Sequence, residues 1–334
     1  MSNVPAAPSA AGVARRVLVI KHGALGDFVQ ALGSFAAIRR HHRSARVTLL
    51  TTTPYVELAR GSGHFDEIWV DDRPPLWSVW GLIALRRRLR TGGFDRVYDL
   101  QTKDRTALYF RLLGPGPRPE WSGIARGCSH PHRNPDRERM HTLDREAEQL
   151  RLAGIDWVPP PDLSWLTAEV GRLTPPGCYV LMVPGGSAHR PAKRWPAERY
   201  GALARELGGR GYASLVLGAA AERGIAARIR KFYPAARYLT GSTTIAEVAA
   251  LARGAAGAVG NDTGPMHVIA AAGCPTTVLF SAHSDPRLCA PRGRPGGPPV
   301  VILERARLAD LPMAEVSRVL VLRASEESRA AGRP

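Results

Sequence analysis

The length, composition and charge of the chain limit the class of protein it can be. Its 334 residues, 44% hydrophobic and 22% charged, suffice for two globular domains, which excludes a disordered or fibrous protein. Lysine and arginine number 46 against 29 acidic residues, and this net charge of +17 would attract polyanions or anionic lipids. No helix-turn-helix signature, RNP motif or basic-aromatic block accompanies the charge, so no nucleic-acid partner is expected.

The cysteines indicate a reducing compartment, and the hydropathy pattern shows neither a signal peptide nor a membrane span. The four cysteines form no C-x-x-C pair; they are Cys128, Cys178, Cys274 and Cys289. Cys128 alternates with His130 and His132 in a spacing that matches no common zinc site, so no metal is expected. The N-terminal 14 residues lack the apolar core of a signal peptide, and no stretch of 18 uncharged apolar residues follows. The sequence therefore predicts a cytoplasmic protein whose positive charge favours peripheral contact with a membrane surface.

The first half of the chain alternates strand and helix patterns. Val17–Ile20 is an apolar run typical of a strand buried on both faces, and a helix with a cationic end follows from Phe28 to Arg40. Further strands are predicted at Val47–Thr51, Ile68–Val70 and Arg96–Leu100, and helices at Leu82–Leu89 and His141–Ala153. Residues 114–137 are predicted to form a long irregular loop rich in Gly, Pro, His and Arg.

The second half repeats this alternation after proline-rich stretches at 159–161 and 175–177, which predict a linker. Strands are predicted at Tyr179–Val183, Ser214–Leu217, Ala256–Val259 and Thr276–Phe280, and helices at Pro196–Leu207, Ala220–Phe232, Ile245–Arg253, Met266–Ala272 and Pro312–Ala324. Such alternation indicates βαβ units with parallel sheets. We expect two α/β domains, residues 1–170 and 178–310, and a C-terminal helix and tail, 311–334, that packs back on the N-terminal domain.

The first candidate site follows the first predicted strand. Gly23 and Gly26 permit a tight turn there, and Asp27 stands at the start of the next helix. Ligands bind at the carboxyl ends of strands in open α/β sheets, so Asp27 is either a helix cap or a base exposed to a ligand. The spacing is neither G-x-G-x-x-G nor a P-loop, which disfavours a dinucleotide dehydrogenase and a P-loop enzyme.

Two further motifs lie at strand ends in the second half. Between residues 184 and 196, small residues, the Ser187 hydroxyl and Lys193 suit phosphate oxygens, although an ordinary basic loop is the alternative. Within Gly260–His267, amides at a helix start beside Thr263 suit pyrophosphate, and an Asx-turn is the alternative. Asp262, itself an anion, would orient the loop or meet sugar hydroxyls.

In order and separation, the segments Ala24–Asp27, Lys193–Pro196 and Gly260–His267 resemble the heptosyltransferase family, glycosyltransferase family 9, which adds ADP-activated heptose to the lipopolysaccharide inner core. The likeness continues through His141–Arg145, Gly241–Thr243 and Phe280 with Asp285–Pro286. It implies a GT-B fold, in which two Rossmann-like domains with parallel sheets face a central cleft. It also implies an N-terminal acceptor domain, a C-terminal donor domain and metal-independent transfer with inversion.

The resemblance assigns roles to individual residues. Asp27 would be the catalytic base, with Gly23 and Gly26 on the acceptor side. The donor phosphate and nucleotide would be bound by Ser187, Lys193, Glu222, Thr263 and Gly264, and the donor sugar by Asp262 and His267. No cofactor is implied beyond a nucleotide-diphosphate sugar, expected to be ADP-heptose. The partner is a glycan or glycolipid acceptor at the cytoplasmic face of the inner membrane.

Two segments depart from the usual pattern of the family and leave the donor and acceptor open. They are Lys21–Gly23 and Ser281–Ser284. One alternative is a GT-B transferase that uses another nucleotide sugar for capsule, exopolysaccharide or protein glycosylation. The other, motivated by the net charge, is a non-catalytic polyanion-binding protein on the same fold.

Overall fold

The structure, a computed structural model, describes residues 14–186 and 191–323 and divides into two compact units. The first unit takes in the chain up to His22 together with Phe35–Arg133 and Glu148–Trp157. The second takes in Gly23–Ser34, Asn134–Ala147 and the chain from Val158 onward. Two segments from the N-terminal half of the sequence therefore belong to the second unit.

The first unit is built on a parallel sheet that has six strands within the described residues. The strands are β1 (Arg16–Ile20), β2 (Arg46–Thr51), β3 (Glu67–Val70), β4 (Arg96–Asp99), β5 (Glu120–Gly123) and β6 (His130–Pro131). Their order is β3-β2-β1-β4-β5-β6, and β1 pairs in parallel with both β2 and β4. The direction of winding reverses between β1 and β4, which is where doubly wound sheets bind ligands.

The helices of the N-terminal half are α1 (Leu25–Gln30), α2 (Leu32–His41), α3 (Val56–Gly61), α4 (Val79–Thr91), α5 (Asp104–Leu112) and α6 (Thr142–Arg151). The single helix predicted to reach Arg40 is thus two, with a break at Ala31. No helix was predicted over α3 or α5. No helix of the described residues is long and apolar enough to cross a membrane.

The prediction of an irregular loop over residues 114–137 was wrong in part, because β5 and β6 lie within it. Trp121 in β5 is fully buried and packs edge-on against Phe110 at a ring distance of 5.4 Å. Strands of four and two residues, among glycines and prolines, carry too few apolar side chains to show a strand pattern.

The second unit repeats the topology of the first. Its strands are β7 (Tyr179–Val183), β8 (Ala213–Val216), β9 (Arg237–Tyr238), β10 (Gly257–Asn261), β11 (Thr276–Ser281) and β12 (Val300–Arg305). Its helices after β7 are α7 (Ala197–Gly209), α8 (Arg223–Phe232), α9 (Ile245–Gly254), α10 (Gly264–Ala271), α11 (Pro286–Cys289) and α12 (Met313–Val319). The strand order β12-β11-β10-β7-β8-β9, counted from β7, is that of the first sheet, so its switch point lies between β7 and β10.

The C-terminal segment completes the core of the second unit. Leu311, Val316 and Leu320 are buried in the cluster that contains Trp195 and Tyr200. The indole Nε1 of Trp195 donates to the carbonyl oxygen of Leu311 at 2.9 Å. For the described part of this segment, residues 311–323, this differs from the expectation that residues 311–334 pack back on the N-terminal domain. The apolar stripe of α12 is buried against the second sheet and α7, because the largest side chains of that core lie there.

Candidate active site

Asn261, the last residue of β10, ties together the loops at the switch point of the second sheet. Its side-chain amide donates to the carbonyl oxygens of Pro184 at 2.8 Å and Gly185 at 3.0 Å. Its Oδ1 accepts from the backbone N–H of Trp195 at 3.0 Å and from the Tyr200 hydroxyl at 3.1 Å. Asn261 is fully buried, so these bonds fix the end of β7 and the start of α7 beside it. Sequence reasoning gave this residue no role.

Replacing Asn261 with leucine is expected to lower the free energy of unfolding by about 3 kcal/mol or more, since several buried polar groups lose their partners. Urea unfolding at neutral pH measures the change. Thr277→Val is the control, because this buried hydroxyl in β11 has no hydrogen-bond partner among the described residues. It should cost less than about 1 kcal/mol. Equal losses in both variants would contradict a special role for the Asn261 bonds.

A lysine and a carboxylate pair directly beyond Asn261. Nζ of Lys193 lies 2.7 Å from Oδ2 of Asp262, and both side chains are 12% exposed. The Ser284 hydroxyl accepts from the same ammonium and donates to the same carboxylate. This Lys193–Asp262–Ser284 cluster holds a cation and a hydroxyl at the switch point. Ser284 was noted in the sequence only as part of a departure from the family pattern, and no sequence signal placed it 91 positions away beside Lys193.

The first turn of α10 adds donors next to this cluster. Thr263 is the N-cap residue in an extended conformation, and its side chain makes no capping hydrogen bond. Pro265 has no N–H, and the Met266 amide bonds to the Thr263 carbonyl oxygen at 3.0 Å. The donors that this helix start offers an anion are therefore the Gly264 amide and the Thr263 hydroxyl.

Helix α1 packs closely across the start of α10 in the second unit. A Cβ on Gly26 would lie 2.8 Å from Cδ2 of His267, and one on Gly264 would lie 2.8 Å from Cβ of Leu25. Both contacts are shorter than real Cβ atoms show, so only glycine allows this approach. Gly23, at φ +112°, leads the chain into the helix in a conformation that favours glycine.

Asp27 is the third residue of α1 and is exposed. The N-cap is Ala24, so the interpretation of Asp27 as the cap residue was wrong in position. The carboxylate instead accepts from the Ala24 amide at 3.3 Å. This long bond is one half of a capping box, because the alanine side chain cannot supply the other half. Exposure leaves the rest of this carboxylate accessible to a ligand.

His267 is buried beneath α1. Burial lowers the pKa of its imidazole to about 4, although the nearby Asp262 and Asp27 carboxylates act in the opposite direction. The ring is therefore neutral at physiological pH and can donate one hydrogen bond and accept another. Its Nδ1 has no hydrogen-bond partner among the described residues.

The stability of the protein is expected to fall as the pH drops from 6.5 towards 4. The unfolded chain takes up a proton on His267 below 6.5, while the folded state resists it down to about 4, so stability is lost over this window. The shift corresponds to roughly 3 kcal/mol. His42, whose pKa burial also lowers to about 4, contributes with the same sign. In urea unfolding across this range, His267→Gln should flatten the dependence and the exposed control His283→Gln should not; equal slopes in all three proteins would refute the assignment.

Glu222 bridges the loops that follow β7 and β8. It accepts hydrogen bonds from the backbone amides of Gly186 and Ala219, both at 2.8 Å. A Cβ on Gly185 would lie 1.9 Å from its Oε1, and one on Gly218 would lie 2.6 Å from its Oε2. The two glycines thus let the loops close around the carboxylate at the carboxyl edge of the sheet.

All of the predicted site residues that the structure describes belong to one unit. The second unit contains Gly23, Gly26, Asp27, Lys193, Glu222, Asp262, Thr263, Gly264 and His267. Ser187 lies outside the described residues. Direct contact joins Lys193 to Asp262 and Gly26 to His267, neither of which spacing alone indicated. Among the described residues, no three His, Cys, Asp or Glu side chains form a group that can hold a metal ion.

A buried ionisable cluster that sequence reasoning missed lies at the carboxyl edge of the first sheet. Nε2 of His22 is 2.9 Å from Oδ2 of Asp71, which also accepts from the Tyr109 hydroxyl at 2.6 Å. Burial acts to raise the pKa of Asp71, but its bonds to His22 and Tyr109 prevail and lower it. Asp99, at the end of β4, is fully buried, and burial raises its pKa to about 6. Polar residues directly after strands were the available signal for this edge.

Two doubly wound parallel sheets in succession, with a cation and helix-start donors at the switch point of the second, match the architecture of the GT-B class of proteins. Residues 82–295 match the family model of glycosyltransferase family 9 (heptosyltransferase). The chain belongs to this family and is a glycosyltransferase. The resemblance inferred from the motifs is thereby confirmed.

Individual relatives agree with this assignment. Over 104 residues the chain is 34% identical to lipooligosaccharide heptosyltransferase 2 of Haemophilus influenzae, and the match spans 30% of this chain and 30% of that protein. The structure of E. coli ADP-heptose lps heptosyltransferase II is 20% identical, with a TM-score of 0.74 over 91% of this chain and 96% of that one. E. coli heptosyltransferase WaaC with ADP is also 20% identical, with a TM-score of 0.68 over 91% and 98%. These similarities confirm the predicted α/β, GT-B fold.

Proposed function

We propose that the protein transfers heptose from ADP-heptose to a hydroxyl of a lipopolysaccharide-core acceptor, with inversion at the anomeric carbon. The observation that carries this proposal is the Lys193–Asp262–Ser284 cluster at the switch point of the second sheet, which suits the diphosphate of a nucleotide sugar. Family membership supports heptose as the sugar, and the ADP bound to WaaC supports ADP as the nucleotide. The sheet β7–β12 would bind the donor and the sheet β1–β6 the acceptor.

The donor would be held by groups already placed at the carboxyl edge of the second sheet. Lys193 and the Ser284 hydroxyl would bind the diphosphate, with the Gly264 amide and Thr263 hydroxyl as further donors. Asp262, released from part of its interaction with Lys193, would accept from sugar hydroxyls, and neutral His267 would donate to another. Ser187 and Glu222 would contribute to the nucleotide side.

In the transfer step, Asp27 would take the proton from the acceptor hydroxyl as its oxygen attacks the anomeric carbon. The bond from that carbon to the diphosphate breaks on the opposite face, and ADP leaves with the electron pair. General-base assistance contributes about 10²- to 10⁴-fold to the rate. Lys193 offsets the charge that develops on the departing diphosphate, so we propose that no metal is required. Addition of EDTA should leave the rate unchanged.

A lipid-anchored acceptor would bring the protein to a membrane. A lipopolysaccharide core is assembled on a lipid anchor, so we propose that the enzyme works in peripheral contact with the cytoplasmic face of the inner membrane. The net charge of +17 supports such contact, because the lipids of that face are in part anionic.

A thermal-shift titration of the full-length protein tests the donor. ADP and ADP-heptose should raise the melting temperature, by the equivalent of about 2.7 kcal/mol at a hundredfold excess over the dissociation constant, while UDP, GDP and their sugars should not. Mass spectrometry should then show one heptose added to a core acceptor. Stabilisation by another nucleotide would move the assignment to a different GT-B transferase. Salt-sensitive oligonucleotide binding without any nucleotide response would favour the non-catalytic alternative.

A further inference from the structure

A short stretch of the first unit exposes an unusual amount of apolar surface. Trp77 is 85% and Trp80 82% exposed, and Leu76, Val79 and Ile83 are also exposed. Elsewhere in the described residues, exposed large apolar side chains are scattered singly. Contiguous apolar surface on a folded protein commonly marks an interaction site. We call residues 76–83 the tryptophan patch.

The tryptophan patch is held in place by the fold. Helix α4 buries Leu85 and Leu89 in the core of the first unit, so Trp80 and Ile83 on another side of the helix face outward. The turn before the helix is fixed by hydrogen bonds from the Ser78 amide to the Pro75 carbonyl oxygen at 2.8 Å and from the Val79 amide to that of Trp77 at 3.1 Å. A preformed surface of this kind loses little conformational entropy when it binds.

Positive charge adjoins this patch. From Arg73 to Phe94 the sequence contains no acidic residue and five arginines, at positions 73, 86, 87, 88 and 90. Arg87 lies seven residues, about two helical turns, beyond Trp80 and therefore on the same face of α4. It makes no hydrogen bond or ion pair among the described residues. The neighbouring arginines of α4 donate to backbone carbonyl oxygens and keep their charge; Arg88, for example, bonds to Val70 at 2.8 Å.

We propose that the tryptophan patch and Arg87 form the face by which the protein binds a membrane surface that contains anionic phospholipid. Indole rings favour the boundary between headgroups and acyl chains, where one end meets apolar and the other polar surroundings. Guanidinium groups beside them pair with lipid phosphate, so the surface complements an anionic interface in both polarity and charge. The proposal rests on the proposed function for its purpose, which is to bring the enzyme to a lipid-anchored acceptor.

The position of the patch within the first unit fits this purpose. Helix α4 begins beyond the carboxyl end of β3, the end at which a parallel sheet binds its ligand. Asp71, which immediately follows β3, belongs to the buried cluster with His22 and Tyr109 at the same edge. A membrane held at the tryptophan patch would thus lie on the side of the sheet proposed to take the acceptor.

Vesicle flotation with the purified full-length protein, without donor or acceptor, tests the proposal. Vesicles of phosphatidylethanolamine and phosphatidylglycerol should bind the protein, and phosphatidylcholine vesicles should bind it weakly. Trp77→Ser with Trp80→Ser should weaken binding at least about tenfold, because two interfacial side chains are lost. Arg87→Gln should weaken it about fivefold on anionic vesicles only. Trp157→Ser is the matched control, since Trp157 is 58% exposed but isolated and stacks under Arg40.

Three results would overturn the proposal: absence of wild-type flotation, equal flotation of the double tryptophan variant, or a dimer in sedimentation that the double variant abolishes. The last would make the patch an interface between copies of the chain. Circular dichroism and unchanged turnover on a deacylated, water-soluble acceptor would show that the variants are folded. Because flotation needs no sugar substrate, it can fail while the heptosyltransferase assignment stands, and the reverse also holds.

Discussion

Asp27→Asn is expected to lower the rate of sugar transfer by about 10²- to 10⁴-fold while ADP affinity changes less than about twofold. The amide is nearly the same size and can still accept from the Ala24 amide, so α1 should keep its place on α10. It cannot take the acceptor proton, and no other carboxylate lies on this helix. Turnover at saturating donor, measured together with calorimetric binding of ADP, separates the chemical step from donor binding.

Asp104→Asn is the matched control for this change. Asp104 is an exposed carboxylate in the first turn of α5, so its removal costs a similar interaction with a helix N-terminus. Its transfer rate should equal that of the wild type. A rate for Asp27→Asn within about threefold of the wild type would exclude Asp27 as the general base.

Lys193→Ala is expected to weaken ADP binding by about ten- to a hundredfold, the usual contribution of a hydrogen bond to a charged group. The effect has two sources: the diphosphate loses its cation, and the Asp262 carboxylate loses its ion-pair partner and repels the ligand. The melting-temperature rise produced by ADP should therefore be nearly lost. Removal of the exposed Lys231 in α8 of the same unit lowers the net charge equally and should leave ADP binding intact.

A double substitution separates the two sources. If repulsion by Asp262 matters, Lys193→Ala with Asp262→Ala should bind ADP more tightly than Lys193→Ala alone. If only the cation matters, the double variant should bind no better. Undiminished ADP binding in Lys193→Ala itself would remove the cluster from the donor site.

The alternation of strands and helices could be predicted from the sequence because buried parallel strands are continuous apolar runs. Val17–Ile20 and Tyr179–Val183 were found this way, and both lie in the central strands of their sheets. Four strands at or near a sheet edge were missed. Strands β5, β6 and β9 are too short and polar to give a pattern, whereas β12 was missed although it begins with an apolar run. Helix α5 was also missed, although its position between β4 and β5 completes a βαβ unit.

The candidate site was predictable by residue type but not by contact. Lys193 and Asp262 were both singled out from their motifs, yet their ion pair joins positions 69 apart and depends on the switch-point geometry. Ser284 entered the cluster from a segment that only departed from a pattern. Asn261 and Asp71 act through buried hydrogen bonds, and no spacing rule reveals such partners. The packing of α1 on α10 required Gly26 and Gly264 to face a histidine and a leucine from distant parts of the chain.

The placement of residues 23–34 in the second unit limits how this chain can be recombined with its relatives. The helix with Asp27 follows the first strand in sequence, but its neighbours in space lie on α10, more than 200 positions later. A chimera joined at the proline-rich stretch near residue 160 would therefore pair this helix with a foreign α10, and the tight glycine contacts would have to match by chance. With the donor bound by the second unit, as proposed, an exchange of donor specificity would have to transfer three stretches together: residues 23–34, 134–147 and the chain from 158 onward. The unit that would have to be exchanged is therefore built from segments that are not contiguous in the sequence.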